Sequence, residues 1–268
     1  MGTLGFEPRA VGFPTLRIIA LELIAPQHIC SGAHDVPATP RPQIHTILFK
    51  IYYVFKRFMA RNMHVSSPED IIRKLKVSYD KFAEDFANTR KDKEWKEVIE
   101  YLKSLPSNIT LLDAGCGYNR YGKYINGTHV CMDFSKNLIK ISMADYQQSI
   151  YVVGNIIDLP FKDASFEYSI CIATVHHLPS KTLRKRAINE LIRVSRKAIF
   201  LSVWYKHQKK FENLPKDVDV MWRKKYFRYY HLYDFKEIVE DIIKGMHYKE
   251  IFSFVDYHKR NIYVEIVK

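Results

Sequence analysis

Apolar positions recur with a helical period from Ser66 onward, whereas the residues before it show no steady period. Ser67 is a suitable N-cap, and Pro68 suits the first position of the helix that follows. Apolar side chains then stand three or four residues apart, which predicts an amphipathic helix. They are Ile71, Ile72, Leu75, Tyr79, Phe82 and Phe86. A second helix is predicted from the same spacing of Trp95, Val98, Ile99 and Leu102.

Short runs rich in β-branched and aromatic residues alternate with helical segments in the middle of the chain. Strands are predicted at 110–114, 129–134, 150–153, 168–173 and 198–203. Helices are predicted near 137–146 and 182–194. This alternation predicts an α/β fold with a doubly wound, mostly parallel sheet.

The end of the chain departs from this alternation. A helix is predicted at 235–243, and two strand-like runs follow at 250–255 and 261–267. They stand on either side of a short polar segment, so we expect them to form a terminal antiparallel pair on the parallel sheet. The sheet then has seven strands, as in Rossmann-like class I methyltransferases, which this ending suits better than a plain dinucleotide-binding fold.

Residues 1–62 carry many prolines and no periodicity, so we expect an extension without a stable fold, followed by one folded domain over 63–268. Residues 5–9 read Gly-Phe-Glu-Pro-Arg, which a sequence resembling the T-arm of a tRNA gene would encode. One hypothesis is therefore that the reading frame was extended upstream and that translation starts at Met59 or Met63. The alternative is a genuine extension.

The charge balance favours a polyanionic partner. Lys and Arg total 42 against 29 Asp and Glu, a net charge of +13, which puts nucleic acid ahead of an anionic membrane. A basic, merely solvated surface is the alternative.

The four cysteines show no CxxC spacing, so we expect no metal site, no disulfide framework and a reducing, cytoplasmic location. No apolar run approaches the roughly 18 residues of a membrane span, and no stable membrane association is expected.

A glycine-containing turn directly follows the first predicted strand of the sheet. Asp113 ends that strand, and Gly115 and Gly117 allow backbone to approach a ligand closely. Asn119 stands where a third glycine is usual, but asparagine tolerates positive φ. Asp133 ends the second strand, where a carboxylate can accept hydrogen bonds from ribose hydroxyls; its alternative role is to cap the next helix. Together these residues predict a site for an adenosine-containing cofactor.

The segments after the third and fourth strands indicate which chemistry is involved. Asn155 and Ile156 are placed to meet an adenine. The tail at 172–178 lacks the Asn/Asp-Pro-Pro-aromatic signature of many exocyclic-amine methyltransferases, and it lacks the Pro-Cys nucleophile of base-carbon methylation. An oxygen or an already nucleophilic atom is therefore the expected acceptor. His176 and His177 in this tail are either functional or structural residues that pack at the strand end.

Several segments together resemble the tRNA carboxymethyluridine methyltransferases, which esterify 5-carboxymethyluridine at the wobble position. The most specific is Arg-Tyr-Tyr-His at 228–231, outside the cofactor fingerprint. The others are 79–83, 89–90, Trp95, 113–121, 158–161, 172–177, 203–204 and 217–222. The resemblance covers about 68–268. Three departures are Asn119, Met221 in place of a usual proline, and a missing Pro-Gly-Gly turn near 194–197.

This resemblance implies S-adenosylmethionine as the cofactor. The expected cofactor-binding residues are Asp113, Gly115, Gly117, Tyr121, Asp133, Asn155, Ile156 and Ala173. A carboxylate acceptor, with a pKa of about 4, is ionised at neutral pH and needs no general base. A cation should orient it beside the methyl donor. The candidates are Arg228 and His231, followed by Arg90 and His176.

The resemblance also implies the anticodon loop of tRNA as substrate and a small zinc-binding activator protein as partner. Tyr229 or Tyr230 is expected to stack on the uracil, with core packing as the alternative. Lys209, Lys210 and Lys224 are expected to contact the RNA backbone. Two other functions stay open, a small-molecule methyltransferase acting on a quinone or lipid precursor and a non-catalytic scaffold that binds tRNA or cofactor. Salt-sensitive binding favours tRNA, an apolar acceptor pocket the small molecule, and cofactor binding without turnover the scaffold.

Overall fold

The computed structural model describes residues 8–9, 66–243 and 246–268, although the side chains of 8, 9, 241 and 242 are not described. Pro68–Lys268 and the short strand Pro8–Arg9 belong to one compact unit. The expectations for residues 1–62 otherwise lie outside the described residues. In the part of the chain that is described, no helix combines the length and apolar character needed to cross a bilayer.

Helices and strands alternate along the described chain, as the hydrophobic pattern predicts. The helices are α1 (Pro68–Lys81), α2 (Ala83–Arg90), α3 (Lys96–Ser104), α4 (Lys136–Asp145), α5 (Lys181–Val194) and α6 (Glu237–Ile243), the last of π type. The strands are β1 (Pro8–Arg9), β2 (Ile109–Ala114), β3 (Gly127–Asp133), β4 (Ile150–Val153), β5 (Phe166–Ile172), β6 (Ser195–Trp204), β7 (Asp217–Val220), β8 (Tyr229–His231), β9 (Glu250–Val255) and β10 (Asn261–Val267).

Seven strands form the main sheet in the order β4-β3-β2-β5-β6-β10-β9. The first five are parallel, and β10 pairs antiparallel with both β6 and β9. This confirms the predicted mostly parallel sheet with a terminal antiparallel pair. The chain runs outward from β2 to β4 and then returns to β5 on the other side of β2. The carboxyl ends of β2 and β5 therefore meet at a switch point, where open α/β sheets bind ligands.

Local signals explain most element boundaries. Pro68 is the first residue of α1, as predicted, and Ser135 and Ser180 cap α4 and α5 by accepting hydrogen bonds from the backbone N–H groups three residues on. The apolar period that predicts one long first helix is divided at Phe82, where α1 ends and α2 begins. The small antiparallel sheet β1-β7-β8 was not predicted, because all three residues of β8 are buried and show no alternation.

Candidate active site

A cavity of about 320 Å³ lies at the carboxyl ends of β2, β3 and β5. Its size falls within the range of small-molecule and cofactor sites. One part of its wall comes from the turns that follow these strands. Further parts come from α1, α2, the segment around β8, the segment after β6 and the turn before β10, which together bring in residues far apart in the sequence.

The turn after β2 depends on residues that accept positive φ. Gly115 has φ +81°, Gly117 φ +55° and Asn119 φ +55°, so Asn119 does adopt the conformation expected of it. A Cβ at Gly115 would lie 2.4 Å from side-chain atoms of Thr174. Because that distance is a severe clash, the close approach of this turn to the end of β5 requires glycine.

Two buried carboxyl groups face the cavity. Asp133 accepts hydrogen bonds from the backbone N–H groups of Gly117 (3.0 Å) and Ser135 (2.8 Å). Burial outweighs these bonds and raises the pKa of Asp133 to about 6. Burial and the neighbouring Asp133 raise the pKa of Asp113 to about 7. Neither carboxyl forms an ion pair among the described residues, so this end of the cavity favours hydroxyl donors and positive charge.

All eight residues expected to bind the cofactor line this cavity: Asp113, Gly115, Gly117, Tyr121, Asp133, Asn155, Ile156 and Ala173. Leu138 also lines the cavity and adds to the apolar part of its wall, which could cover a base. The Asn155 Oδ1 accepts a hydrogen bond from the backbone N–H of Ile157 at 3.2 Å, which shapes the turn around it. Acidic and apolar walls of this kind fit the ribose, the base and the positive charge of S-adenosylmethionine.

Arg228 is held by aromatic rings instead of by acids. Its side chain is 2% exposed and lines the cavity, with its guanidinium carbon 4.8 Å from the centroid of Trp222 and 5.4 Å from that of Tyr230. Among the described residues its Nε and Nη2 have no hydrogen-bond partner. A buried guanidinium with donors that have no partner is costly unless an anion completes it, so Arg228 is a candidate position for binding a negatively charged group.

Arg90 shares the ring of Trp222 with Arg228. Its guanidinium carbon is 4.9 Å from the Trp222 centroid and 5.6 Å from that of Phe86. Burial, followed by repulsion from Arg120, lowers the pKa of Arg90. Both arginines therefore lie against one indole and beside one cavity.

The hydrogen bonds of the two histidines after β5 determine their tautomers. The Nδ1 of His176 accepts the backbone N–H of Trp204 at 3.1 Å, so its proton lies on Nε2, which is buried and has no hydrogen-bond partner among the described residues. His176 is one of the residues that line the cavity. The Nδ1 of His177 lies 2.8 Å from the carbonyl of Tyr229 and must donate to it, so its Nε2 accepts the hydroxyl of Tyr79 at 2.9 Å.

Burial keeps both rings neutral. Burial, then the neighbouring His177 and Arg228, lowers the pKa of His176 well below its ordinary value, and burial lowers that of His177 to about 3. His176 was proposed as a cation that orients the acceptor. A neutral hydrogen-bond donor is what the structure supports instead, because burial, and then His177 and Arg228, disfavour a charged ring.

His231 and Tyr229, which the sequence placed in the site, do not line the cavity. His231 is hydrogen-bonded at 2.8 Å to Asp217 through Nδ1 and at 2.8 Å to Glu237 through Nε2, and the hydroxyl of Tyr229 donates to Asp217. Tyr230 does line it and stacks on Trp204, with ring centroids 4.1 Å apart. Tyr230 is separated from Tyr229 and His231 because successive side chains of a strand point to opposite faces.

The three lysines expected to contact RNA are also divided by the fold. Lys210 lines the cavity although the residue as a whole is exposed, with its ammonium 4.4 Å from the centroid of Trp204. Partial desolvation of the ammonium, then Arg228, lowers its pKa. Lys209 and Lys224 are exposed and do not line the cavity. Three cations that the sequence did not indicate do line it, namely Lys93, Arg120 and Arg260. They come from separate loops, so no local pattern identifies them.

Comparison with known proteins gives a consistent result. Residues 112–201 match a family described as a methyltransferase domain. The tRNA (carboxymethyluridine(34)-5-O)-methyltransferase of Schizosaccharomyces pombe is 30% identical over 196 residues, which cover 60% of this chain and 84% of that protein. The Arabidopsis thaliana protein of the same name is 36% identical over 157 residues, or 56% of this chain. This chain spans only 37% of that longer relative.

Solved structures share the fold at low sequence identity. A Burkholderia thailandensis 1,6-didemethyltoxoflavin-N1-methyltransferase with bound S-adenosylhomocysteine has a TM-score of 0.60 at 14% identity, covering 77% of this chain and 92% of that one. A Haloferax volcanii methyltransferase in complex with the Trm112 methyltransferase activator has a TM-score of 0.55 at 15% identity, covering 72% and 96%. Both support a class I methyltransferase fold.

Proposed function

The chain belongs to the tRNA (carboxymethyluridine(34)-5-O)-methyltransferase family, and from this premise we propose that it esterifies the carboxylate of 5-carboxymethyluridine at the tRNA wobble position. The proposal rests on Arg228, a buried cation that lines the cavity and whose Nε and Nη2 have no hydrogen-bond partner among the described residues. A carboxylate is the group that a guanidinium binds best, since its two oxygens match two parallel N–H donors.

S-adenosylmethionine, when bound, supplies a methyl group on a positively charged sulfur. Asp133 would bind its ribose hydroxyls, because each oxygen of that carboxylate keeps a lone pair beyond its backbone hydrogen bond. Ile156 and Leu138 would cover its adenine. Asp113 is a buried carboxyl that a positive ligand would stabilise in its ionised form.

Arg228 and His176 would hold the acceptor carboxylate from two sides. Arg228 offers Nε–H and Nη2–H, and His176 offers its Nε2–H as a neutral donor. No proton has to be removed, because the carboxylate is ionised at neutral pH. The residues therefore act by orientation and by excluding water, which is the effect that proximity can supply. Arg90 adds positive charge nearby without occupying the same position.

Nucleoside mass spectrometry tests this proposal most directly. Bulk tRNA that carries wobble carboxymethyluridine is incubated with the protein and S-adenosylmethionine, with and without a candidate activator. We expect a new methyl ester on that nucleoside. Arg228→Lys keeps the charge but not the planar pair of donors, and should reduce kcat/KM by about 100-fold while cofactor affinity stays unchanged. Cofactor binding without any methylated nucleoside would contradict the proposal.

We also propose a small activator protein as partner, docked on the β4 edge of the sheet. β4 is an edge strand in which Ile150 and Val153 are 55% and 49% exposed, and Met143 of the adjoining α4 is 51% exposed. An apolar strand edge of this kind offers unpaired backbone groups to an added strand. The Haloferax volcanii structure shows that a methyltransferase of this fold can be bound to the Trm112 activator.

Substitution at the two sheet edges tests the docking position. Ile150→Lys should abolish co-purification of a co-expressed activator from this organism. Phe252→Lys is the matched control, because Phe252 is 54% exposed on β9, the opposite edge strand. Equal capture by the wild type and both variants would place the activator elsewhere.

A further inference from the structure

The turn between β9 and β10 presents a tyrosine that is not packed in the core. The side chain of Tyr257 is 92% exposed. Its ring contact is with His258, at 5.3 Å between centroids. The next two residues are Lys259 and Arg260, so the tip combines an aromatic ring with consecutive basic side chains.

This turn is rigid despite its exposure. Buried Asp256 accepts hydrogen bonds from the backbone N–H groups of Arg260 (2.8 Å) and Asn261 (3.0 Å), and also from the Asn261 side chain (3.0 Å). Lys259 has φ +51° and donates its N–H to the carbonyl of Asp256 at 2.8 Å. The conformation that exposes Tyr257 is therefore set before any partner binds, which lowers the entropy cost of binding.

The turn is attached to the wall of the cavity. The carbonyl of Arg260 accepts hydrogen bonds from the backbone N–H of Tyr205 at 3.0 Å and from the Gln208 side chain at 2.8 Å. The Arg260 side chain lines the cavity, as does Lys210, two residues beyond Gln208. A ligand that enters the cavity past Arg260 must pass close to this tip.

We infer that the turn 256–261 is a nucleotide-binding tip, on which Tyr257 stacks against a base next to the one that enters the cavity, while Lys259 contacts a phosphate. The inference rests on the proposed function, because it supposes that the cavity receives a nucleotide from a loop. Exposed aromatic rings beside basic side chains are how proteins bind single-stranded RNA. A protein partner is less favoured, since the exposed side chains at the tip besides Tyr257 are basic.

A binding measurement tests the tip without depending on catalysis. Fluorescence anisotropy with a labelled anticodon stem-loop, in the presence of S-adenosylhomocysteine, should give a Kd about 10-fold higher for Tyr257→Ala than for the wild type. Tyr257→Phe and Tyr257→Trp should bind within about twofold of the wild type, because both keep a stacking face. Tyr248→Ala is the matched control at the other end of β9, and should not change the Kd.

Two further readouts separate the possible outcomes. Lys259→Asn tolerates the positive φ and should reduce the dependence of log K on log salt by about 0.7 to 0.9. A 2-aminopurine placed beside the wobble nucleotide should be quenched by the wild type and less by Tyr257→Ala. Equal RNA affinity of wild type and Tyr257→Ala overturns the inference, and so does a defect seen only in activator binding. Failure of the wild type to bind or methylate any tRNA instead refutes the proposed function.

Discussion

At the scale of single residues, the site is organised by one tryptophan. The ring of Trp222 lies against the guanidinium groups of both Arg228 and Arg90 and stacks on Phe82 at 5.4 Å between centroids. A cation held on an aromatic face keeps its in-plane N–H donors available, whereas a carboxylate partner would consume them. Trp222 is therefore a positioning residue whose removal should affect Arg228 more than the cofactor.

We expect Trp222→Leu to reduce kcat/KM on tRNA by about 10-fold or more, because an aliphatic side chain gives Arg228 no π face. Trp222→Phe should restore most of this loss. Steady-state kinetics on tRNA provides the measurement, and calorimetry with S-adenosylhomocysteine provides the control. A purely structural role for Trp222 predicts instead that cofactor affinity and thermal stability fall in parallel with activity in both variants.

At the scale of elements, the two faces of β8 contribute to different sites, the cavity on one side and a polar cluster on the other. The side chains of Arg228, just before the strand, and Tyr230 face the cavity. Tyr229 and His231 face a polar cluster in which Asp217 and Glu237 bind the two nitrogens of His231. The arrangement follows from the period of two in a strand. The cluster attaches β8 to β7 and α6, so it stabilises the element that carries the site.

The stability supplied by this cluster depends on pH in a defined direction. Burial opposes protonation of His231, but hydrogen bonds to Asp217 and Glu237 outweigh it and raise the pKa of His231 above its ordinary 6.5. This contribution is fully present below pH 6.5 and is lost as pH rises through the folded value. Burial by itself raises the pKa of Glu237, but hydrogen bonds from His231 and Lys216 outweigh burial and lower this pKa from 4.5 to about 2. The stability that Glu237 contributes is therefore lost as pH falls from 4.5 through the folded pKa.

We expect His231→Gln to lower the free energy of unfolding by about 1 to 3 kcal/mol, since it removes the charged partner that Asp217 and Glu237 share, although Lys216 still pairs with Glu237. The difference from the wild type should be largest between about pH 5 and 6 and smaller at pH 9. Urea unfolding at several pH values measures it. His258→Gln, on the exposed turn, should change nothing. A pH-independent difference would mean that His231 is not charged in the fold.

At the scale of the whole molecule, positive charge is concentrated where the RNA is expected. The chain has a net charge of +13. Arg90, Lys93, Arg120, Lys210, Arg228 and Arg260 all line the cavity, against Asp113 and Asp133 at its cofactor end. A small, uncharged acceptor would not require so many cations, whereas an anticodon loop presents several phosphates. The distribution therefore favours a polyanionic substrate.

Salt dependence measures this electrostatic term. We expect log K for the anticodon stem-loop to fall with log salt at a slope of about −3 to −5, which corresponds to roughly four to six phosphate contacts. Binding of S-adenosylhomocysteine to the same protein is the internal control and should vary little with salt. A slope near zero for RNA would favour the alternative of a small-molecule methyltransferase.

The sequence by itself determined the features that depend on neighbouring residues. The bounds of β4, β9 and β10 were predicted to the residue, because strand composition and the turns beside them are local signals. The turn after β2 was predicted with Asn119 at positive φ. The acid at the end of β3 was predicted because every parallel strand brings its carboxyl end to the same edge.

Tertiary structure alone decided which residues of 228–231 enter the cavity. Each of these four side chains was a candidate to orient the acceptor or to stack on the uracil. The alternation of β8 places Arg228 and Tyr230 on one side and Tyr229 and His231 on the other. Partners on neighbouring elements hold the two sides, with Trp222 against Arg228 and Asp217 and Glu237 against His231. The tautomer of His176 likewise depends on the backbone of Trp204. Contacts between separate elements do not show in the hydrophobic period of the sequence, because that period reflects only the burial of each element by itself.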